Sequence, residues 1–345
     1  MKELLTASFR FVAAFCAAGM LLVAPVVGEA ASDAWTAPRT ADGHPDLQGV
    51  WANNNATPLE RPEAWAGKDT LSPEEVAELQ AALGQAVGDG DALFGDQQVL
   101  AAIERTQAKS YDPTTGNYNQ FWIVERSLTN RTSLIVDPAD GRIPALTPEA
   151  LERQTARAEH RKQHPADSWK DRSLGERCLS FGVPRLGAGY NSYYQIFQSA
   201  DHVVILMEMA HDARVIPIDG KPPLSDDIRL WHGDSRGHWE GETLVIETAN
   251  FSSKSNFRRA PSRNLRLTER LTRVDSTTLH YEVTIDDPTT WTGPWTALLP
   301  LQGTEDPIFE YACHEGNYGM EGILAGHRAE ERAAAASGTV ATGSR

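Results

Sequence analysis

Basic charge is in short supply in this chain. Its 32 lysines and arginines face 47 aspartates and glutamates, leaving a formal charge of −15. That excess argues against a nucleic-acid partner, because phosphate binding needs clustered cations. Long apolar runs are equally scarce. Beyond residues 11–27 none could span a bilayer, so no stable membrane insertion is expected. The chain carries no H-E-x-x-H helix, no P-loop and no Rossmann glycine fingerprint, and no serine-esterase elbow is read between a strand and a helix. These absences weigh against zincins, nucleotide enzymes and serine esterases of that type. They leave cofactor-independent lyases and glycosidases open, and no cofactor is expected. Hydrophobic residues make up 41% of the chain, as in globular rather than disordered proteins.

Cysteine is also rare, with three residues: Cys16, Cys178 and Cys313. The N-terminus accounts for the first. Lys2 and Arg10 precede the apolar run, and Gly28 and Ala30 stand at the −3 and −1 positions of a cleavage site. This is the pattern of a secretory signal peptide over residues 1–30, and it predicts a periplasmic or secreted protein. Bulky Phe15 before Cys16 argues against lipidation. Export leaves two cysteines in an oxidising compartment, where a Cys178–Cys313 disulfide is expected. Closing so long a loop contributes on the order of 4 kcal/mol in the chain-entropy model. A catalytic Cys313 is the competing reading.

Residues 31–328 read as one mainly β domain and 329–345 as a disordered tail. Residues 31–70 form a long irregular segment carrying Trp35, Trp51 and Trp65. Two helix starts are explicit: Ser72-Pro73 with Glu75 for a capping box, and Thr147-Pro148. The rest reads as strands. "DHVVILMEM", "TLVIET", "LRLTERLTRV" and "TLHYEVTI" follow one another without intervening helices. In the last, Tyr281, Val283 and Ile285 alternate with polar residues, so one face is dry. The expected fold is an antiparallel meander closing into a barrel or bent sheet, with a few peripheral helices. Asp140-Gly141 and Asp219-Gly220 suit tight turns, and Trp239-Glu240-Gly241 suits the start of a hairpin.

Several side chains could carry chemistry. Glu269 shares a face with Leu265, Leu267 and Leu271. A carboxylate there is either a general acid/base with a raised pKa or half of a buried ion pair, with Arg214 or Arg258 as partner. Glu208 poses the same question near a strand end. His211, Asp212 and Arg214 cluster where one strand ends and another begins. They suit a proton shuttle with an anion anchor, or a turn capped by Asp212. Tyr190, Tyr193 and Tyr194 offer stacking faces and hydroxyls. His232, Asp234, His238 and Glu240 include metal-ligand types, but no pair has the spacing of a recognised site, and the segment 234–237 reads as a structured turn. His314, beside Cys313 and before a turn at Gly316-Asn317, is either a catalytic imidazole held by the crosslink or a histidine bonded to that turn.

"RTADGHPDLQGVW", "GDSRGHWEGETLVIETANF" and "EYACHEGNYGM" resemble the motifs of a large group of exported bacterial proteins, over most of the mature chain. That resemblance implies location rather than activity. The stretch from His238 to Tyr311 is similar to lipocalin-like barrels, an analogy of fold alone. Some cofactor-free lyases of aromatic acids, phenolic acid decarboxylases among them, use such barrels, but none of their catalytic residues is matched here. The favoured expectation is an exported cofactor-independent lyase acting on a small aromatic or phenolic substrate of plant or lignin origin. Glu269, His211 and His314 would be its acid/base candidates, Arg214 the anion anchor, and Tyr190 and Tyr194 the substrate contacts. A carbohydrate-active enzyme using paired carboxylates such as Glu208 and Glu269, and a non-catalytic periplasmic ligand-binding protein, are the alternatives. Homo-oligomerisation stays open.

Overall fold

Alternation in the strands dictates the architecture. In a computed structural model, which describes residues 35–85, 97–105, 126–254, 256–257, 260–261 and 263–337, the chain runs in order through β1 (Gly49–Ala52), α1 (Pro73–Gln85), α2 (Gln97–Glu104), β2 (Ile135–Asp137), α3 (Pro148–Gln163), β3 (Tyr193–Gln198), β4 (His202–Met207), β5 (Asp212–Pro217), β6 (Asp234–Glu240) and β7 (Thr243–Ala249). It continues through β8 (Asn256–Phe257), β9 (Ala260–Pro261), β10 (Arg266–Arg273), β11 (Thr278–Asp286), β12 (Trp295–Thr304) and α4 (Tyr318–Ser337). The signal peptide read over 1–30, and Arg258, lie outside the described residues.

Nine antiparallel strands form a nearly closed barrel in the order β5-β4-β3-β1-β12-β11-β10-β7-β6, with β2 paired to β12. Every second residue of β11 is buried, from Leu279 through Tyr281 and Val283 to Ile285. The same period buries Leu267, Glu269 and Leu271 on β10. Each aliphatic side chain removed from water contributes about 1.5–3 kcal/mol. That is enough to lock the register, since a one-residue slip would turn this whole face outward. The ends of the sheet, β5 and β6, share no backbone ladder. They meet through side chains instead. A Cβ at Gly237 would stand 2.7 Å from Ile218 and 3.2 Å from Ile216, so glycine lets β5 and the residues after it press directly on β6.

The expected caps form. Ser72 and Glu75 make a reciprocal capping box, and Thr147 Oγ1 accepts from Ala150 N at 3.1 Å. Leu71, Leu79, Leu83 and Val99 build a second, smaller core under α1 and α2. The irregular N-terminal segment contributes one central strand, because Trp51 is buried in β1 and donates to Leu47 O at 2.9 Å.

Two local expectations differ from the structure. Asp234–Gly237 is strand rather than turn, since its pairing with β7 outweighs the local turn preference. Residues 329–337, read as part of a disordered tail, continue α4 through Ser337. Their glutamates, arginines and alanines are strong helix formers, and Arg328 Nη2 ties the helix to Ala166 O at 2.9 Å. Residues 338–345 lie outside the described residues. Among the described residues no helix is long and apolar enough to cross a membrane.

Candidate functional site

The inner face of the barrel carries one polar cluster, and Glu269 is its hub. Its carboxylate is fully buried and receives both ends of the Arg214 guanidinium, Nη1 at 2.8 Å and Nη2 at 2.7 Å. Tyr281 Oη donates to Oε1 at 2.6 Å and Thr248 Oγ1 to Oε2 at 3.3 Å. Arg214 Nη2 also donates to Ser235 Oγ at 3.0 Å and Thr248 Oγ1 at 3.2 Å. These five residues come from β5, β6, β7, β10 and β11. The Arg214–Ser235 bond therefore bridges the seam that the backbone leaves open.

The electrostatics follow from this pairing. Burial opposes ionisation of Glu269, but the Arg214 charge and the converging donors outweigh it and hold the carboxyl below its ordinary value. Burial likewise opposes the Arg214 cation, and the carboxylate beside it raises its pKa instead. Tyr281 is pushed well above the usual phenol range by burial and by Glu269. Burial takes Tyr194 to about 12. The cluster is thus ionised at its centre and neutral at its phenols through the physiological range. Of the two readings of Glu269, the ion pair with Arg214 forms.

A cavity adjoins this cluster. Its walls are Val183, Pro184 and Arg185 from the irregular segment between α3 and β3, Tyr194, Arg214 and Tyr281 from the barrel, and aliphatic side chains of β3, β4, β10 and β12. Free space for the centre of a water-sized sphere is about 10 Å³, room for one water. Glu269 sits behind this wall and its partners form the surface. Arg214 Nε and Arg185 Nε are buried without hydrogen-bond partners. Arg185 differs from Arg214 in its surroundings. Burial lowers its pKa, its guanidinium lies over the Phe181 ring at 5.8 Å, and the phenols of Tyr194, Tyr190 and Tyr311 act on it. Its neighbours are thus aromatic faces and phenols, where Arg214 has a carboxylate.

The covering segment is fixed from outside. Cys178 and Cys313 form the expected disulfide, with Cα atoms 5.6 Å apart. Tyr311 meets Phe181 edge to face at 5.9 Å, and Asn317 Nδ2 donates to Glu176 O at 3.2 Å. Phe309 N donates to Glu208 Oε1 at 3.2 Å, and Tyr193 N reaches Oε2 at 3.4 Å. Glu208 thus clasps the irregular segment after β12 to β3, with donors different from those of Glu269. Tyr194 Oη donates to Arg185 O at 2.5 Å.

The other candidates are scattered. His314 is exposed, and Gly316 makes the turn after it with a φ of +74°. His211 is also exposed. Its neighbour Asp212 turns away toward His232, with Oδ2 3.4 Å from Nε2. Ser180 Oγ lies 2.8 Å from the same nitrogen. This Ser180–His232–Asp212 set was not legible in the sequence, where its members are far apart. It lacks the relay of a hydrolytic triad, in which serine and carboxylate occupy opposite ring nitrogens. Gly233-Asp234-Ser235-Arg236-Gly237 does match the G-x-S-x-G spacing. Ser235, however, lies within β6, bonded to Arg214 and Thr248, and not on a strand-to-helix turn. Tyr190 is half-buried beside Arg185. Arg185 itself was missed, having no periodic context in "GVPRLGAG". His238 pairs only with exposed Glu240, at 3.2 Å.

No family model and no curated protein matches the chain. Among solved structures, a secretary abundant heat soluble (SAHS) protein from Ramazzottius varieornatus is similar to it at 12% identity and a TM-score of 0.22, over 32% of this chain and 70% of that one. A likeness at that level carries no argument about activity.

Proposed function

We propose that the protein is an exported barrel that takes a small amphipathic monoanion, of the aromatic or phenolic carboxylate class, into the cavity beneath Arg185. The Arg185 guanidinium, set against apolar walls, the Phe181 ring and phenol hydroxyls with its Nε buried and unbonded, is the observation that carries this reading. An apolar site with a few convergent polar groups suits such a ligand, and a buried cation whose neighbours are aromatic rather than anionic favours an anion. Entry requires the 183–185 segment to give way, because the cavity holds only one water as it stands. The apolar N-terminal run and the disulfide support export.

Acid/base lyase chemistry is the second reading. The 2.6 Å contact between Tyr281 and Glu269, beside an arginine facing the cavity, favours it. In that case Tyr281 is the proton donor to the substrate and Glu269 receives no proton of its own at neutral pH. Tryptophan fluorescence of the mature chain, titrated with 4-hydroxycinnamate and benzoate and then with their methyl esters, tests the binding. Saturable binding of the acids and not the esters is expected, and equal response to both contradicts it. Mass spectrometry of the same mixtures separates the readings: unchanged ligand supports binding alone, and loss of carbon dioxide supports the lyase.

A further inference from the structure

A second constellation lies away from the barrel, where the end of α3 meets α4. His327 and Glu331 stand four residues apart on α4, so both side chains project from one helix face. Asp167 faces them from the turn after α3. His327 Nε2 lies 3.5 Å from Asp167 Oδ1 and 3.5 Å from Glu331 Oε1. One ligand atom from each of the three residues falls within 4.8 Å of the others. We propose that Asp167, His327 and Glu331 bind a divalent transition metal of the zinc class.

Three observations carry this. The first is spacing. Ligand bonds of about 2.0–2.2 Å in a tetrahedron put neighbouring ligand atoms roughly 3.3–3.6 Å apart, which is the separation of His327 Nε2 from each carboxylate oxygen. At 3.5 Å these contacts are too long for good hydrogen bonds, and all three atoms lie within 4.8 Å of one another. The second is that the remaining polar atom of each ligand faces its own neighbour. His164 Nδ1 contacts Asp167 Oδ2 at 2.7 Å, Arg328 Nε contacts Glu331 Oε2 at 3.1 Å, and Glu330 Oε2 faces His327 Nδ1 at 3.7 Å. Outer partners of this kind orient ligands and fix the imidazole tautomer at metal centres. The third is rigidity. Ser168 and Asp171 close a capping box, Arg172 Nη1 donates to Pro165 O at 2.8 Å, and Arg328 Nη2 holds Ala166 O. Asp167 is therefore held in a fixed turn, and His327 is mostly buried against it, its side chain 16% exposed.

One imidazole and two carboxylates suit zinc and its first-row neighbours better than calcium or magnesium, which prefer oxygen alone. Three protein ligands leave the fourth position to solvent. The bound ion joins α4 to the turn after α3 and neutralises the two carboxylates gathered around one imidazole. None of this depends on the barrel cavity.

The mature chain, stripped with EDTA and dialysed, is titrated with zinc by calorimetry and with cobalt by visible absorption. One zinc per chain is expected, with cobalt giving the d–d bands of a low-coordinate site. His327→Gln should weaken zinc binding at least about a hundredfold, and His164→Gln about tenfold as an outer partner. His238→Gln, at an exposed histidine–carboxylate pair elsewhere on the surface, should change nothing. Glu331→Gln serves as the second ligand variant, and circular dichroism confirms that each variant is folded. No heat of binding with zinc at about 1 mM, or affinity that survives both ligand substitutions, overturns the proposal.

Discussion

Two arginines border the same cavity, and they differ in one respect. Arg214 is neutralised, with a carboxylate, two hydroxyls and a strand seam arranged around it. Arg185 faces phenols and aliphatic carbons. A buried charge that is fully partnered serves the fold, holding β5 to β6 where no ladder does. A charge left over beside a cavity is available to a ligand. On the proposed reading, Arg214 is the clasp and Arg185 the receptor. It also explains why Glu269, the most conspicuous residue of the sequence, acts through its partners rather than on a substrate.

The largest effect expected is at the clasp. Glu269→Gln removes the countercharge and leaves Arg214 buried, which should cost roughly 3–5 kcal/mol of stability in urea unfolding. Replacing both residues with methionine should recover most of it, because an apolar pair carries no desolvation cost. A double variant as unstable as the single one would show that the seam needs the charges themselves. The pH dependence has a definite sign. The folded-state pKa of Glu269 is depressed, so its contribution is fully present above the ordinary carboxyl value of 4.5 and is lost as pH falls through the lower folded value. Wild-type stability should therefore fall more steeply below that point than in the methionine pair.

Next comes the tether. Removing the disulfide with Cys178→Ser and Cys313→Ser should cost roughly 2–5 kcal/mol. The unreduced mature chain, lacking Cys16 and unfolded in denaturant, should show no reactive thiol. Tyr281→Phe removes a single hydrogen bond to a charged group and should cost about 1.5–3 kcal/mol. In an alkaline titration at the phenolate absorbance, Tyr194 and Tyr281 should stay protonated past the usual tyrosine range. The Tyr194 contribution is complete below the unfolded value of 10 and fades as pH approaches about 12.

The barrel was legible because its signal is repeated. Alternation over β10 and β11, and strands following one another without helices, leave few other closures. Both helix caps were legible for the same reason, each being a local rule obeyed locally. The disulfide followed from counting. The site was less accessible. That Glu269 lies inward could be read from Leu267 and Leu271, but its partner could not, since Arg214 is 55 residues away and joined only by barrel closure. Arg185, Ser180 and Asp167 sit in irregular segments whose positions come from tertiary contacts such as Tyr194 Oη on Arg185 O. His327 and Glu331 do show a helical i,i+4 spacing. The alanine-rich run after Ala329 masks it, since small residues read equally as a tail.

The smallest loss of stability and the largest loss of function are expected at a single position, Arg185. Arg185→Gln removes a buried charge that has no anionic partner, so it should not lower the unfolding free energy. The decisive measurement is calorimetric titration of this variant and of the wild type with 4-hydroxycinnamate, alongside their urea unfolding curves. The account predicts at least about tenfold weaker binding in the variant, a loss of about 1.4 kcal/mol, with stability not reduced. Unchanged binding, or a loss matched by a collapse in stability, would contradict it and return Arg185 to the scaffold.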